Sequence, residues 1–181
     1  PGRDVKLSKD RVTGYRNFIT KISNANNFLK INKCVYTKNI NIKKINLKIN
    51  QWIYAEFKKT LDLTDKHIKN FRFDEASRVS YNFVWGAYCD WYLEFLKPIF
   101  NSKNKTAQKE ASYFSSYMFM NILKLLHPFI PFFTEYMWQD NKFNKFSKTD
   151  LITSDWPDFK KIPSFNKSLN EIESLIEIIT S

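Results

Sequence analysis

The sequence is poor in glycine, with only Gly2, Gly14 and Gly86 among its 181 residues. Loops that bind nucleotide phosphates need clustered glycines, because only then can the backbone approach the phosphate closely. No such cluster occurs in this sequence. Its absence argues against a P-loop or a Rossmann site, and we predict no catalytic residue of that kind.

Cysteine and histidine are equally scarce. Cys34 and Cys89 form no C-x-x-C pair, and the N-terminus has no signal-peptide character, so we expect reduced thiols in a cytoplasmic protein. His67 and His127 are too isolated for a zinc site, and no metal site is predicted. No apolar run approaches the ~20 residues that span a bilayer, so no membrane partner is expected. The chain lacks an initiator methionine and stops inside a helix-like run, and we expect both ends to be fragment boundaries.

Aromatic and basic residues are what the chain has in abundance. Hydrophobic residues make up 43% of the sequence and aromatic residues 17%, which is enough for one domain with a core rich in rings. Lysine and arginine number 29 against 18 acidic residues, a formal charge of +11. This charge indicates either a basic face that attracts a polyanion or compositional drift, and charge alone does not separate the two.

Apolar residues at spacings of three and four predict five helices. Their predicted bounds are 9–30, 46–68, 74–97, 106–126 and 131–138. Asp74 is the predicted N-cap of the third helix, and Pro98 is predicted to stop it. The predicted apolar face of that helix comprises Val79, Phe83, Val84, Ala87, Tyr88, Trp91 and Phe95.

The fold class predicted from this pattern is all-α, a helical bundle with a loop-rich C-terminal extension. We place the bundle at residues 1–139 and the extension at residues 140–181. Ser168 and Glu171 have the spacing of a capping box, which predicts that a last helix starts there. The apolar face of this helix would comprise Ile172, Leu175, Ile176 and Ile179.

Three features are compatible with a functional site, and each has a structural alternative that we favour. Asp90 and Glu94 lie four residues apart on one helix face, which suits either acid–base chemistry or ion pairing. His127 precedes a proline at a helix boundary, where it would be a general base or a C-terminal cap. The run Phe129–Phe133 would form either a partner site or part of the core.

The polar face of the first helix combines cations with amides. Arg16 and Lys21 can hold phosphates, whereas Asn17, Asn24 and Asn27 can bond to base edges. Proteins that bind single-stranded RNA loops add an aromatic stacking platform to this chemistry. Candidates for the platform are Tyr15, Phe28 and Tyr36. An ordinary solvated helix face is the alternative, and spacing alone favours it.

Several motifs occur in a characteristic order along residues 1–157. They are Gly2-Arg3-Asp4 followed by Gly14-Tyr15-Arg16-Asn17-Phe18, then Cys89-Asp90-Trp91-Tyr92-Leu93-Glu94, then His127-Pro128-Phe129-Ile130-Pro131-Phe132, and Trp156-Pro157. This succession resembles the anticodon-binding domain of class I aminoacyl-tRNA synthetases, and the Cys-Asp-Trp-Tyr-Leu-Glu form resembles the valine enzymes.

The chain departs from the family at Ser23, where tryptophan is usual, and at Asn27, where arginine is frequent. It also departs at Asn50-Gln51, where a charged pair usually precedes the tryptophan.

The resemblance implies a parent enzyme that joins valine to its tRNA with ATP and Mg²⁺. The catalytic signatures and the editing domain of that family are absent, so the chain by itself should be inactive and need no cofactor. Its expected partners are the anticodon stem-loop of valine tRNA and the missing catalytic domain. The residues expected to contact tRNA are Arg16, Asn17, Lys21, Asn24, Phe28 and Lys30. Two alternatives remain, a helical protein-interaction module with incidental charge and an enzyme that uses Asp90 and Glu94.

Overall fold

All regular structure in residues 8–36 and 40–181, the part of the chain that the computed structural model describes, is helical. The α-helices are α1 (Lys9–Ile31), α2 (Lys48–Lys69), α3 (Phe73–Asn82), α4 (Leu93–Asn101), α5 (Lys105–Leu126), α6 (Pro131–Asp140), α7 (Phe143–Ser147) and α8 (Asn166–Thr180). A π-helical segment, Phe83–Tyr92, joins α3 to α4, and single 3₁₀ turns lie at Ile42–Lys44, Leu151–Thr153 and Pro163–Phe165. The predicted all-α bundle is confirmed, whereas the motif at Gly2–Asp4 lies outside the described residues.

Local side-chain caps begin two of the long helices. The Ser8 hydroxyl accepts a hydrogen bond from the Arg11 backbone N–H at 3.3 Å, which starts α1. The Asn104 side chain accepts from the Ala107 N–H at 3.0 Å at the start of α5. Each bond satisfies a free donor in the first turn, and short-range sequence patterns can predict such a cap.

Helix α2 starts differently, because a carboxylate from α5 provides its cap. Glu110 is 7% exposed, and its two oxygens accept from the backbone N–H groups of Leu47 at 2.8 Å and Asn46 at 3.0 Å. The Asn50 amide donates to the same carboxylate at 3.0 Å and accepts from the Tyr92 hydroxyl at 2.8 Å. This buried network connects α2, α5 and the π segment, and it explains how the core accommodates Asn50.

The middle helix is continuous through α3, the π segment and α4. In the π segment and α4 the fully buried positions recur every fourth residue, at Val84, Tyr88, Tyr92 and Leu96. A π-helix closes i→i+5 hydrogen bonds and therefore has more residues per turn than an α-helix, which changes the face that a given position occupies. Trp91, predicted on the buried apolar face, is consequently only half-buried.

Two predicted boundaries of this middle helix are wrong. Asp74 is not the N-cap, because the helix begins one residue earlier and Arg72 holds the Asp74 carboxylate in a two-bond pair. These hydrogen bonds lower the pKa of Asp74 to about 2. Pro98 does not stop the helix, which continues to Asn101. The proline costs one hydrogen bond to the Glu94 carbonyl, and both residues lie on an exposed face where water can replace it.

The last helix also begins earlier than predicted, and the capping box is wrong. Ser168 lies inside α8, where it is buried and donates to the Gln51 side chain at 2.6 Å. Glu171 forms an ion pair with Lys48 of α2 at 2.6 Å. Ile172 is buried against the bundle, but the second half of the helix is not covered, and its exposed apolar residues are Leu175, Ile178 and Ile179.

The segment after α6 packs against the bundle through aromatic side chains. Phe159 stacks on Tyr54 of α2 with ring centroids 4.6 Å apart, and Phe165 meets the same ring edge-on at 5.6 Å. Phe143 and Leu151 are buried in the same core. The predicted division at residue 139 stays a prediction. None of the helices described is apolar over a length sufficient to cross a membrane.

Candidate nucleic-acid interface

The residues predicted to contact RNA lie on two sides of α1. Asn17, Lys21, Asn24 and Phe28 recur at spacings of four and three and follow the side that faces the middle helix. There Phe28 packs edge-on against Phe100 of α4 at 5.9 Å. Arg16 and Lys30 lie on the other side, where the Lys30 ammonium contacts α6. The six residues predicted to contact RNA therefore lie on two sides of α1 and do not form one continuous face.

Two of the predicted cations are already engaged within the protein. The Lys21 ammonium lies 2.5 Å from the Asp90 carboxylate and 3.8 Å above the centre of the Trp85 ring. The Lys30 ammonium lies 2.5 Å from the carboxylate of Asp140, which also accepts from buried Asn26 at 3.1 Å. A phosphate would have to compete with these partners, so both lysines are weaker candidates for phosphate contacts than the sequence suggests.

Arg16, Asn17 and Asn24 remain available. All three are exposed, and their side chains form no hydrogen bond or ion pair with any residue in the described ranges. Arg16 presents a guanidinium that can hold a phosphate, and the two amides present both donors and acceptors. Of the six residues predicted to contact tRNA, these three are the ones whose polar groups are free to bind RNA.

The carboxylates of Asp90 and Glu94 form ion pairs instead of an acid–base site. Asp90 bonds to Lys21, and Glu94 bonds to Lys97 at 2.6 and 2.7 Å. The favoured interpretation, ion pairing, is confirmed, although both carboxylates lie at the surface. Neither of them lines any of the five best-formed pockets in the described structure.

His127 occupies the C-cap position of α5, as predicted, but its ring bonds to a neighbouring helix. Its Nδ1 lies 2.8 Å from the Thr134 hydroxyl of α6, so the side chain connects two helices across the proline corner.

The core prediction for Phe129–Phe133 is wrong for Phe132, which is 92% exposed. Phe73 and Phe129 line an apolar pocket nearby, and this end of the bundle presents exposed rings.

A second basic surface, which is not among the sites predicted from the sequence, lies at the end of α1. We refer to it as the lysine knob, formed by Lys33, Tyr36, Lys142, Lys145, Phe146 and Lys148. Tyr36 contacts the rings of Phe143 and Phe146 at 5.8 and 5.1 Å, which connects the turn after α1 to α7. The signal in the sequence is the spacing of three between lysines 142, 145 and 148 with phenylalanines between them. Such a spacing places basic and aromatic groups together only if the segment folds back onto α1.

The two cysteines are free thiols, as predicted. Burial raises the pKa of Cys34 and raises that of Cys89 to about 12. We therefore expect thiol reagents at pH 8 to label the native protein at least about ten-fold more slowly than the urea-unfolded chain, because the thiolate is the nucleophile. A reducing agent should leave the melting temperature unchanged, and a drop of several degrees on reduction would show that a disulfide contributes.

Comparison with known proteins identifies the class of this helical domain. A family model described as the anticodon-binding domain of tRNA ligase matches residues 50–181, so the chain belongs to that family. Its relatives include the valine–tRNA ligase of Pelagibacter ubique, which is 46% identical over 99% of this chain, and that of Bartonella quintana, which is 38% identical over 99%. The valine–tRNA ligase of Caulobacter vibrioides is 42% identical over 86% of the chain. The predicted resemblance to the valine enzymes is thereby confirmed. The chain spans about a fifth of the length of these curated relatives.

Proposed function

We propose that this chain binds the anticodon stem and loop of valine tRNA as the non-catalytic part of a valine–tRNA ligase. The observation that carries the proposal is the family match over residues 50–181, together with relatives that are valine–tRNA ligases. The exposed and unengaged side chains of Arg16, Asn17 and Asn24 supply suitable chemistry, and the net charge of +11 favours a polyanionic partner.

The chemical step belongs, in this proposal, to the rest of the enzyme. That part would bind ATP and Mg²⁺ and join valine to the tRNA that this domain holds in place. No group of three or more His, Cys, Asp and Glu side chains is arranged to hold a metal ion in the described residues. Because tRNA charging of this kind serves translation, we place the protein in the cytoplasm.

Different contacts on α1 would contribute to RNA affinity and to discrimination between anticodons. A guanidinium holds a phosphate without regard to sequence, whereas an amide can bond to a base edge. Arg16 would therefore contribute affinity, and Asn24 would contribute the preference for the valine anticodon. Lys21 and Lys30 would contribute less than Arg16, because a phosphate must first displace Asp90 or Asp140.

Substitutions on α1 test this division. We expect Arg16→Ala to weaken binding of all RNA stem-loops about three- to ten-fold at low salt. The slope of log affinity against log salt should fall by somewhat less than ~1, because one phosphate contact is lost. Asn24→Ala should leave that slope unchanged and reduce the preference for the valine anticodon over a scrambled one. Fluorescence titration of labelled stem-loops that differ only in the anticodon measures both effects.

Lys69→Ala provides the matched control, because this exposed lysine in the last turn of α2 forms no ion pair with a described residue. It removes the same charge as Arg16→Ala and should change affinity less than two-fold. Equal binding of valine and scrambled anticodons by the unmodified chain would contradict the anticodon part of the proposal.

The exposed rings of Phe71, Phe73 and Phe132 favour a second candidate, a helical module that binds another protein surface. This candidate predicts no salt-dependent binding of RNA. The titrations at low and high salt separate the two candidates directly, because counterion release makes RNA binding fall steeply with salt.

A further inference from the structure

The two rings of the lysine knob, Tyr36 and Phe146, are anchored to the core through Phe143 by edge-on and tilted ring contacts. Phe143, which lies beneath them, is 2% exposed and meets Trp138 edge-on at 5.4 Å. Tyr36 lies between Phe143 and Phe146, and the outer ring, Phe146, is 41% exposed. A ring held in place from below loses little conformational freedom when a further planar group stacks on it, which makes an exposed face of this kind a suitable platform.

The charges of the knob are unengaged. Lys33, Lys142, Lys145 and Lys148 are exposed, and their ammonium groups form no ion pair with any residue that the structure describes. The carboxylates closest along the chain already accept hydrogen bonds, because Asp140 binds Lys30 and Asn26 and Asp150 accepts from Gln139 at 3.0 Å. The knob is therefore a concentrated positive surface that the protein does not neutralise itself.

Three of the four knob lysines also have an unusual backbone conformation. Four non-glycine residues in the described ranges have positive φ, namely Lys33, Phe71, Lys142 and Lys148, and three of them are knob lysines. All three follow or close a helix, at positions where glycine is the usual residue because a Cβ is disfavoured there. Lysine at such a position gives up stability that glycine would provide.

We propose that the lysine knob is a second contact surface for the anticodon loop, an inference that rests on the proposed function. The lysines hold the phosphates of the single-stranded loop, and one of its bases stacks on the exposed face of Phe146. Cations that follow the backbone beside an aromatic platform are the general chemistry by which proteins bind single-stranded RNA.

The position of the knob suits this role. Lys30 and Asn26 of α1 bond to Asp140, two residues before Lys142, and Lys33 follows Lys30 by three residues. The knob is therefore joined to the C-terminal end of α1. Lys30 shares its side of α1 with Arg16, so an RNA that contacts Arg16 lies on the side of the helix that leads to the knob.

Glycine substitutions separate binding from folding at this site. The double variant Lys142→Gly/Lys148→Gly removes two cations and at the same time relieves two left-handed backbone positions. We expect an equal or higher melting temperature, about ten-fold weaker binding of the valine anticodon stem-loop, and a salt slope lower by up to ~2. Phe146→Leu should weaken binding of the stem-loop about five- to ten-fold but leave both the salt slope and the binding of a blunt RNA duplex unchanged.

Two control variants complete the experiment. Phe71→Gly relieves the fourth left-handed position, which follows α2, and should raise the melting temperature without changing RNA affinity. Lys66→Ala/Lys69→Ala removes two exposed charges from the last turn of α2 and should change affinity less than two-fold.

The outcomes distinguish the two proposals. Failure of the unmodified chain to bind the stem-loop at low salt would overturn the proposed function, and the knob proposal with it. Salt-dependent binding that the knob variants leave intact would overturn the knob proposal alone. Loss of affinity in both the knob variant and the Lys66/Lys69 control would show general attraction by net charge, which also contradicts a defined contact surface.

Discussion

Replacing Glu110 with alanine is expected to lower the free energy of unfolding by about 3 kcal/mol. The buried carboxylate accepts from two backbone N–H groups at the start of α2 and from the Asn50 amide, and its removal leaves one buried and two partly buried donors without a partner. Each such loss costs about 1–3 kcal/mol, and the sum is reduced because a charge no longer has to be buried. The helix would also lose the negative charge that stabilises its N-terminus.

Urea unfolding monitored by circular dichroism measures this loss. Glu110→Gln keeps the shape and one acceptor oxygen, so it should be less destabilising than Glu110→Ala. Glu173→Ala removes an exposed carboxylate that pairs with Lys59 and should cost less than ~1 kcal/mol. A loss below ~1 kcal/mol in Glu110→Ala would show that water replaces the carboxylate and that α2 does not depend on this cap. The expected value is a large share of the ~5–15 kcal/mol that stabilises a typical domain.

Trp138→Ala is expected to cost about 3–5 kcal/mol, the usual loss when a fully buried aromatic side chain is truncated. Trp138 is 0% exposed, and its indole N–H donates to the Thr149 carbonyl at 3.1 Å. It also supports Phe143, which contacts Tyr36 of the lysine knob. The variant should therefore lose stability and bind RNA more weakly. Urea unfolding and the stem-loop titration measure the two effects.

Trp91→Ala is the matched control, since it truncates the same side chain at a half-buried position. Trp91 stacks on Phe95 with ring centroids 5.8 Å apart, and we expect a loss of about 1–2 kcal/mol. From the apolar periodicity alone, Trp91 would be buried and its loss as large as that of Trp138. If Trp91→Ala and Trp138→Ala lower the free energy of unfolding equally, Trp91 is as buried as the apolar periodicity predicts. That result would contradict the π-helical register between Phe83 and Tyr92.

The helices whose signals are local were predicted closely. Apolar periodicity predicts helices at residues 9–30 and 106–126, and α1 and α5 match these ranges to within one residue at each end. The start of the fifth helix at Pro131 is also confirmed, because proline is favoured in the first turn, where its missing N–H costs nothing. The errors at Asp74, Pro98 and Ser168 share one cause. Each residue has a local preference that a partner or the solvent overrides.

The helical class, most helix positions and the family can be predicted from the amino-acid sequence, because each depends on residues that are close in the chain or on motifs in a fixed order. Which polar groups are free and which are engaged depends on how the helices pack. Lys21 meets Asp90 across 69 residues, and Asn26 meets Asp140 across 114. Glu110 starts a helix more than 60 residues earlier in the chain. Tyr36 joins α7 to the end of α1, which gathers the lysine knob. Tertiary packing determines which of many chemically equivalent side chains become partners, and no local sequence pattern predicts these partners.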